Sequence, residues 1–206
     1  MINILIRLHT NLEKFYKTLN SVYKQTYKNI NVIVSIDNKE IYEYICGRNN
    51  DYQPIYINPN NLYAGEPNLD IDHNCKHDNK QIFGRLFLPN IYFNILHQYV
   101  KPGYIFYLDV GDVILDDNMF QNLLVYIEQE YNILWNVMSK NKKVIPNEWH
   151  GYPILCNIDS SNIMFPTKYI IPWTGYRRGD YRVIKEICQK NHNIFVNKLY
   201  IQKDFI

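Results

Sequence analysis

Two short apolar runs, Ile2 to Leu8 and Asn31 to Ile36, flank a segment in which Phe15, Leu19, Val22 and Tyr23 recur at helical spacing. A strand that is β-branched and apolar almost throughout is one covered on both faces, and two such strands joined through a helix pair side by side in the same direction. Residues 41–46 suit a second helix and 54–57 a third short strand, so the order reads strand, helix, strand, helix, strand. That order specifies the α/β class, with a mostly parallel central sheet, right-handed crossovers and flanking helices.

Between Asn58 and Ile82 the periodicity disappears among Asn, Asp, Pro, His and Gly, as expected of a long loop. A helical pattern resumes from Phe87 to Val100, Pro102-Gly103 turns the chain, and Tyr104 to Leu108 reads as a strand. Asp116 or Asp117 is the expected N-cap of a helix running to about Tyr131. Ile133 to Met138, Ile163 to Phe165 and Ile194 to Ile201 are further expected strands, with a basic turn at 140–143 and a helix from Arg182 to Asn191 introduced by Gly179-Asp180. At 206 residues the chain is expected to form one domain.

A formal charge of only +2, with basic and acidic residues interspersed, argues against a nucleic-acid partner. Cys46, Cys75, Cys156 and Cys188 are widely spaced, with no CxxC pair; Cys46, Cys156 and Cys188 are read as packing residues. The opening MINILIRLH is too short to cross a bilayer and no later run is long enough, so no transmembrane segment and a cytoplasmic location are expected.

The chemistry concentrates at Tyr104-Ile105-Phe106-Tyr107-Leu108-Asp109-Val110-Gly111-Asp112, where an apolar run breaks into two carboxylates. Asp and Gly are common where a strand turns, and that explanation needs no ligand. The carboxyl ends of strands are also where open α/β sheets bind ligands, and hard oxygen donors there suit Mg²⁺ or Mn²⁺ carrying a phosphate.

Three stretches tie these residues to a known family. Residues 3–38 end their helix in Ser21-Val22-Tyr23-Lys24-Gln25-Thr26-Tyr27 before a strand closing at Asp37; Leu88 to Asp112 gives helix, glycine and acidic strand end; ILWNV is followed later by W-T-G-Y-R-R-G-D-Y. The chain thereby resembles family 2-type glycosyltransferases of the GT-A fold, whose Rossmann-like sheet binds a nucleoside diphosphate sugar. The resemblance implies inverting transfer of a glycosyl group, from a UDP-sugar or alternatively a GDP-sugar, to a glycan, glycolipid or glycoprotein acceptor, with Mn²⁺ or Mg²⁺ as cofactor. Residues 1–112 would form the donor half and 113–206 the acceptor half.

On that resemblance Asp112 is the first choice for direct metal coordination, with Asp109 near the ribose or a metal-bound water. Gly111 stands where relatives carry a third carboxylate. Asp37 matches the region that holds the uracil N–H or is an ordinary strand-ending turn residue, Arg7 and His9 stand where residues flank the base, with a surface carboxylate ahead of the diphosphate as the partner of Arg7, and Arg85 suits bidentate phosphate binding or a structural salt bridge. Asp180 is the expected catalytic base, although Asp is also a favoured helix N-cap. Trp149, Trp173 and Tyr176 are expected to offer flat faces to an acceptor, with core packing the alternative for Trp149.

Asp70, Asp72, His73, Cys75, His77 and Asp78 supply metal-ligand types without the paired spacing of a zinc site, and read better as a loop or donor lid. Two other functions fit parts of the pattern. A nucleotidyltransferase would carry a Gly-rich loop after the first strand, where Leu8-His9-Thr10-Asn11 has no glycine, and a non-catalytic nucleotide-sugar binding module would tolerate Gly111.

Overall fold

The computed structural model describes residues 1–48, 50–63, 88–139, 141–175 and 179–203. Arg85, Tyr176 and the acidic, His- and Cys-bearing loop cluster lie outside the described residues. The described strands are β1 (Ile2–Leu8), β2 (Ile30–Ile36), β3 (Gln53–Tyr56), β4 (Tyr104–Asp109), β5 (Asp112–Ile114), β6 (Asn132–Met138), β7 (Val144–Ile145), β8 (Ile163–Pro166) and β9 (Asn193–Lys203). They form one sheet in the order β3-β2-β1-β4-β8-β6-β9-β5, with β7 paired to β6. The α/β class expected from the sequence is the class observed.

The sheet is parallel from β3 through β2 and β1 to β4, then turns mixed: β8 runs antiparallel to both β4 and β6, β9 parallel to β6, and β5 antiparallel to β9. Following those directions, the carboxyl ends of β1, β2, β4, β6 and β9 lie along the same edge. That edge is where a ligand crevice belongs in an open α/β sheet.

The period-2 alternation of β1 sorts its residues between two cores. Ile2, Ile4, Ile6 and Leu8 pack with Phe15, Leu19 and Val22 of the helix Leu12–Tyr23 and with Met119, Phe120 and Leu123 of the helix Met119–Ile127. Leu5 turns the other way, joining Ile33, Ile105 and Tyr107 against Phe93, Leu96 and the Val183, Ile184 and Ile187 face of the helix Gly179–Lys190. Between Leu5 and the first residue of β1, the fully buried Asn3 uses its whole amide: Nδ2 donates to the carbonyls of Lys101 (2.8 Å) and Tyr104 (2.9 Å), and Oδ1 accepts from the Lys101 amide and Asn31 Nδ2. A buried amide so satisfied fixes the register of three strands at once.

Several local expectations are corrected. The helix expected over 87–100 is broken in its described part into a 3₁₀ turn (Leu88–Ile91), one short α-helix (Tyr92–Leu96) and a second 3₁₀ turn (His97–Tyr99). The helix expected to reach Tyr131 ends at Ile127, and its N-cap position is Asn118; the Asp116 side chain bonds the Asn118 amide instead (2.9 Å). Strand β5 was hidden because three residues are too few for a pattern to register. Cys46 and Cys156 are exposed, not packed, whereas Cys188 is buried. No helix of the described residues is long and apolar enough to cross a membrane.

Gly103 makes the closest backbone contact at the entry to β4. With φ +146°, a Cβ there would stand 2.2 Å from the carbonyl oxygen of Met1, the acceptor of the Tyr104 amide. Gly103→Ala is therefore expected to lower unfolding free energy by about 2 kcal/mol or more in urea denaturation, since backbone atoms must shift to admit it.

Candidate functional site

Arg7 and Asp109 are register partners on β1 and β4, so their side chains leave the sheet on the same face and meet. Arg7 Nε donates to Asp109 Oδ1 at 2.7 Å, Nη2 pairs with the same oxygen, and Nη1 donates to Asn90 Oδ1 at 3.0 Å. The guanidinium also lies 4.5 Å above the Phe93 ring. Both Arg7 contacts fall on Oδ1, so Asp109 Oδ2 has no hydrogen-bond donor among the described residues, and its side chain is 31% exposed.

Asp112 behaves differently. It is the register partner of Lys203 across β5 and β9, its side chain is 4% exposed, Oδ2 accepts the Asp109 amide (3.3 Å), and Oδ1 lies 3.6 Å from Lys203 Nζ. Burial pushes its carboxyl up to about 7 against the pull of Lys203, with the charges of Asp109 and Asp159 adding to the rise. Of the two carboxylates, the one that reaches solvent is Asp109, and Asp112 braces the turn from beneath.

Lys203 and Asp159 were missed by sequence reasoning. Lys203 Nζ bonds Asp159 Oδ1 at 2.8 Å, and Asp159 also accepts from the Ser161 amide and hydroxyl. Burial alone would raise Asp159 and lower Lys203, but their attraction wins: Asp159 is held below the ordinary carboxylate range and Lys203 above the ordinary ammonium range. Neither residue sits in a recognisable motif; only strand pairing brings them together.

The S-V-Y-K-Q-T-Y segment is the device that shapes the acidic turn. Thr18 Oγ1, one turn earlier on the same helix, accepts the Gly111 amide (3.0 Å), and Ser21 Oγ accepts the Ile114 amide (3.1 Å). Gln25 bonds the Asp116 carbonyl through Nε2 (2.8 Å) and the Phe120 amide through Oε1 (3.2 Å), while the Thr26 amide donates to the Asp117 carbonyl (2.8 Å). These polar side chains satisfy amides that a turn leaves without sheet partners.

Asp180 opens the helix Gly179–Lys190 close to this cluster. Burial, and next the charge of Asp159, push its carboxyl up to about 6, while the Tyr181 amide, Lys203 and Arg7 pull it down. Arg7 bonds Asn90, and a Cβ on the neighbouring Gly179 would come within 3.0 Å of Asn90 Nδ2. Asp180 thus lies within reach of the charges of Asp159, Lys203 and Arg7, and an acid raised toward neutrality suits proton transfer.

His9 and Asp37 also meet at this edge. His9 Nδ1 lies 2.7 Å from Asp37 Oδ1, and Tyr92 Oη donates to Asp37 Oδ2 at 2.9 Å. With both oxygens engaged and its side chain 7% exposed, Asp37 is sheltered, and the 75% exposed His9 is the member of the pair that meets solvent. Trp173, expected as an acceptor platform, is corrected: it is 3% exposed, its ring packed against Phe93 (5.0 Å) and Tyr107 (5.2 Å), its backbone pinned by both ends of the Asn94 amide. Trp149 is half-buried and stacks on Phe195 (5.4 Å, 12°).

Among the described residues no three His, Cys, Asp or Glu side chains gather as a metal site. A divalent ion that carries a diphosphate needs only one or two carboxylates, the phosphate oxygens and water supplying the rest. The open Oδ2 of Asp109 fits that requirement; Asp112, buried against an ammonium, does not.

No protein-family model matches the chain, and no curated protein sequence matches it. The fold does have solved counterparts. S. aureus TarS 1–349 in complex with UDP-GlcNAc superposes with a TM-score of 0.68 at 13% identity, over 98% of this chain and 58% of that one. Its complex with UDP gives 0.65 at 13% identity, over 100% and 60%. The mannosyltransferase PcManGT from Pyrobaculum calidifontis, in complex with GDP-Man and Mn²⁺, gives 0.59 at 7% identity, over 98% and 56%. The chain thus has the GT-A glycosyltransferase fold and spans somewhat more than half the length of these structures, and 36% of the longer TarS chain.

The Asp112 proton gives a stability test. Its native carboxyl lies at about 7 against 3.8 for the ordinary group, so its contribution to stability is full below pH 3.8 and is withdrawn as pH rises toward 7. Asp112→Asn, which cannot ionise, is expected to unfold with a shallower loss of stability between pH 4 and pH 7 than the parent chain, read from urea midpoints across that range.

Proposed function

We propose that this chain is a glycosyltransferase that moves a sugar from a nucleoside diphosphate sugar to an acceptor hydroxyl with inversion. The observation that supports it most is electrostatic: the raised, partly buried carboxyl of Asp180 feels Lys203 and Arg7, the cations that stand against Asp112 and Asp109, and Asp109 keeps an open carboxylate oxygen. Structures of the same fold bound to UDP-GlcNAc, UDP or GDP-Man support a nucleotide-sugar donor, with UDP the first choice and GDP the second.

In this reading Asp109 Oδ2 is the protein ligand that would hold Mn²⁺ or Mg²⁺, and the metal, when bound, supplies positive charge to the departing diphosphate. Asp112 has the supporting role, fixing the Asp109 amide and the turn. Arg7 orients Asp109, and its fork suits the same face of the site as the phosphates.

Asp180 takes the proton from the acceptor hydroxyl as that oxygen forms its bond to the sugar's anomeric carbon, and the bond to the diphosphate oxygen breaks on the opposite face. Its raised carboxyl is a stronger base than an ordinary aspartate yet still ionised in part near neutrality. His9 would flank the base, Asp37 would hold His9 and Tyr92 in place, and the half-buried Trp149 is the aromatic left to meet a sugar of the glycan, glycolipid or glycoprotein acceptor.

Released UDP or GDP, measured with a panel of nucleotide sugars and Mn²⁺, tests the reading. Asp180→Asn and Asp109→Asn are each expected to lower kcat/KM by at least about a hundredfold, the size of a lost general base or charge contact. Binding of a nucleotide sugar with no turnover toward any acceptor, and no change in either variant, would instead mark a non-catalytic binding module.

A further inference from the structure

We infer that Lys203 is a protein-borne phosphate contact of this site, a second cation that meets the donor's diphosphate in addition to any held on Asp109. The inference rests on the nucleotide-sugar reading and assigns it a residue that no motif of the chain announced.

Topology supplies the first reason. Strand β9 runs parallel to β6, which is antiparallel to β8, which is antiparallel to β4. Lys203, the last residue of β9, therefore lies on the same sheet edge as the carboxyl ends of β1 and β4, where Arg7 and Asp109 stand. Its pairing opposite Asp112 brings the ammonium to the acidic turn itself.

The second reason is donor capacity. An ammonium has three N–H groups and no acceptor. Asp159 takes one at 2.8 Å, while Asp112 at 3.6 Å is beyond hydrogen-bond length, so Nζ keeps N–H groups for a further oxygen. The side chain is 14% exposed, enough to be met from the crevice and little enough that the charge is weakly screened. The charges of Asp159, Asp112 and Asp109 outweigh burial and hold its ammonium above the ordinary range.

The third reason lies in the turn. With Gly111 between Val110 and Asp112, and with Asp112 buried, Asp109 is the carboxylate of this turn that reaches solvent. A metal held by one carboxylate is weakly held, and a fixed ammonium at the same edge adds charge complementary to the diphosphate without depending on that ion.

Calorimetric titration in EDTA with UDP, UMP, GDP and GMP isolates this contact. The diphosphate of one base is expected to bind at least about tenfold tighter than its monophosphate, the increment of one charged hydrogen bond. Lys203→Met is expected to bring that ratio close to one with the monophosphate affinity unchanged, and Lys203→Arg to retain most of it. A ratio near one in the parent chain, or an undiminished ratio in Lys203→Met, overturns the inference while leaving the donor reading standing. Should Lys203→Met not fold by circular dichroism, the parent ratio and Lys203→Arg still decide. No binding of either nucleotide, with or without Mn²⁺, removes the donor reading and this inference together.

Discussion

Opposite charges placed in register on neighbouring strands, Arg7 against Asp109 and Asp112 against Lys203, hold the edge at which every other group of the site gathers. Because side chains alternate faces along a strand, a slip of one residue in either pairing would send one partner to the far side of the sheet. The ion pairs are therefore products of register, and register is in turn set by the apolar residues beneath. Ile4, Ile6 and Leu8 on one face of β1 and Leu5 on the other commit Arg7 to its side.

The same economy governs the polar contacts. The helix Leu12–Tyr23 presents apolar Phe15, Leu19 and Val22 to the core while Thr18 and Ser21, fully or nearly buried, turn their hydroxyls to the Gly111 and Ile114 amides. One helix thus packs the sheet and finishes the acidic turn. On the opposite face Asn90 receives Arg7 and crowds Gly179, so β1 and the helix bearing Asp180 share a single side chain.

Much of this was readable from the amino-acid order, and the reasons divide by distance along the chain. Strands β1, β2, β4 and β6 are apolar runs that announce themselves, and Asp109, Asp112 and Asp180 stand at element ends where chemistry collects. Asp109 and Asp112 meet through the Asp109 amide, and Asp112 is the more buried of the two; a pattern of carboxylates does not say which one a distant lysine will cover. Asp159 and Lys203 were invisible for the same reason: one caps the 3₁₀ turn ahead of β8, the other ends β9, and both strands pair with β6. Trp173 beside Gly175 reads as an acceptor platform, and only the positions of Phe93 and Tyr107 make it core.

The hydrogen bond between Thr18 and the Gly111 amide spans 93 positions of sequence, as does that between Ser21 and the Ile114 amide. Such distant closures are slow to form, because loop entropy is spent before any contact rewards it. The acidic turn therefore has its shape only where the first helix is seated on the sheet, and a chain opened at that contact carries the aspartates without the geometry that holds them together.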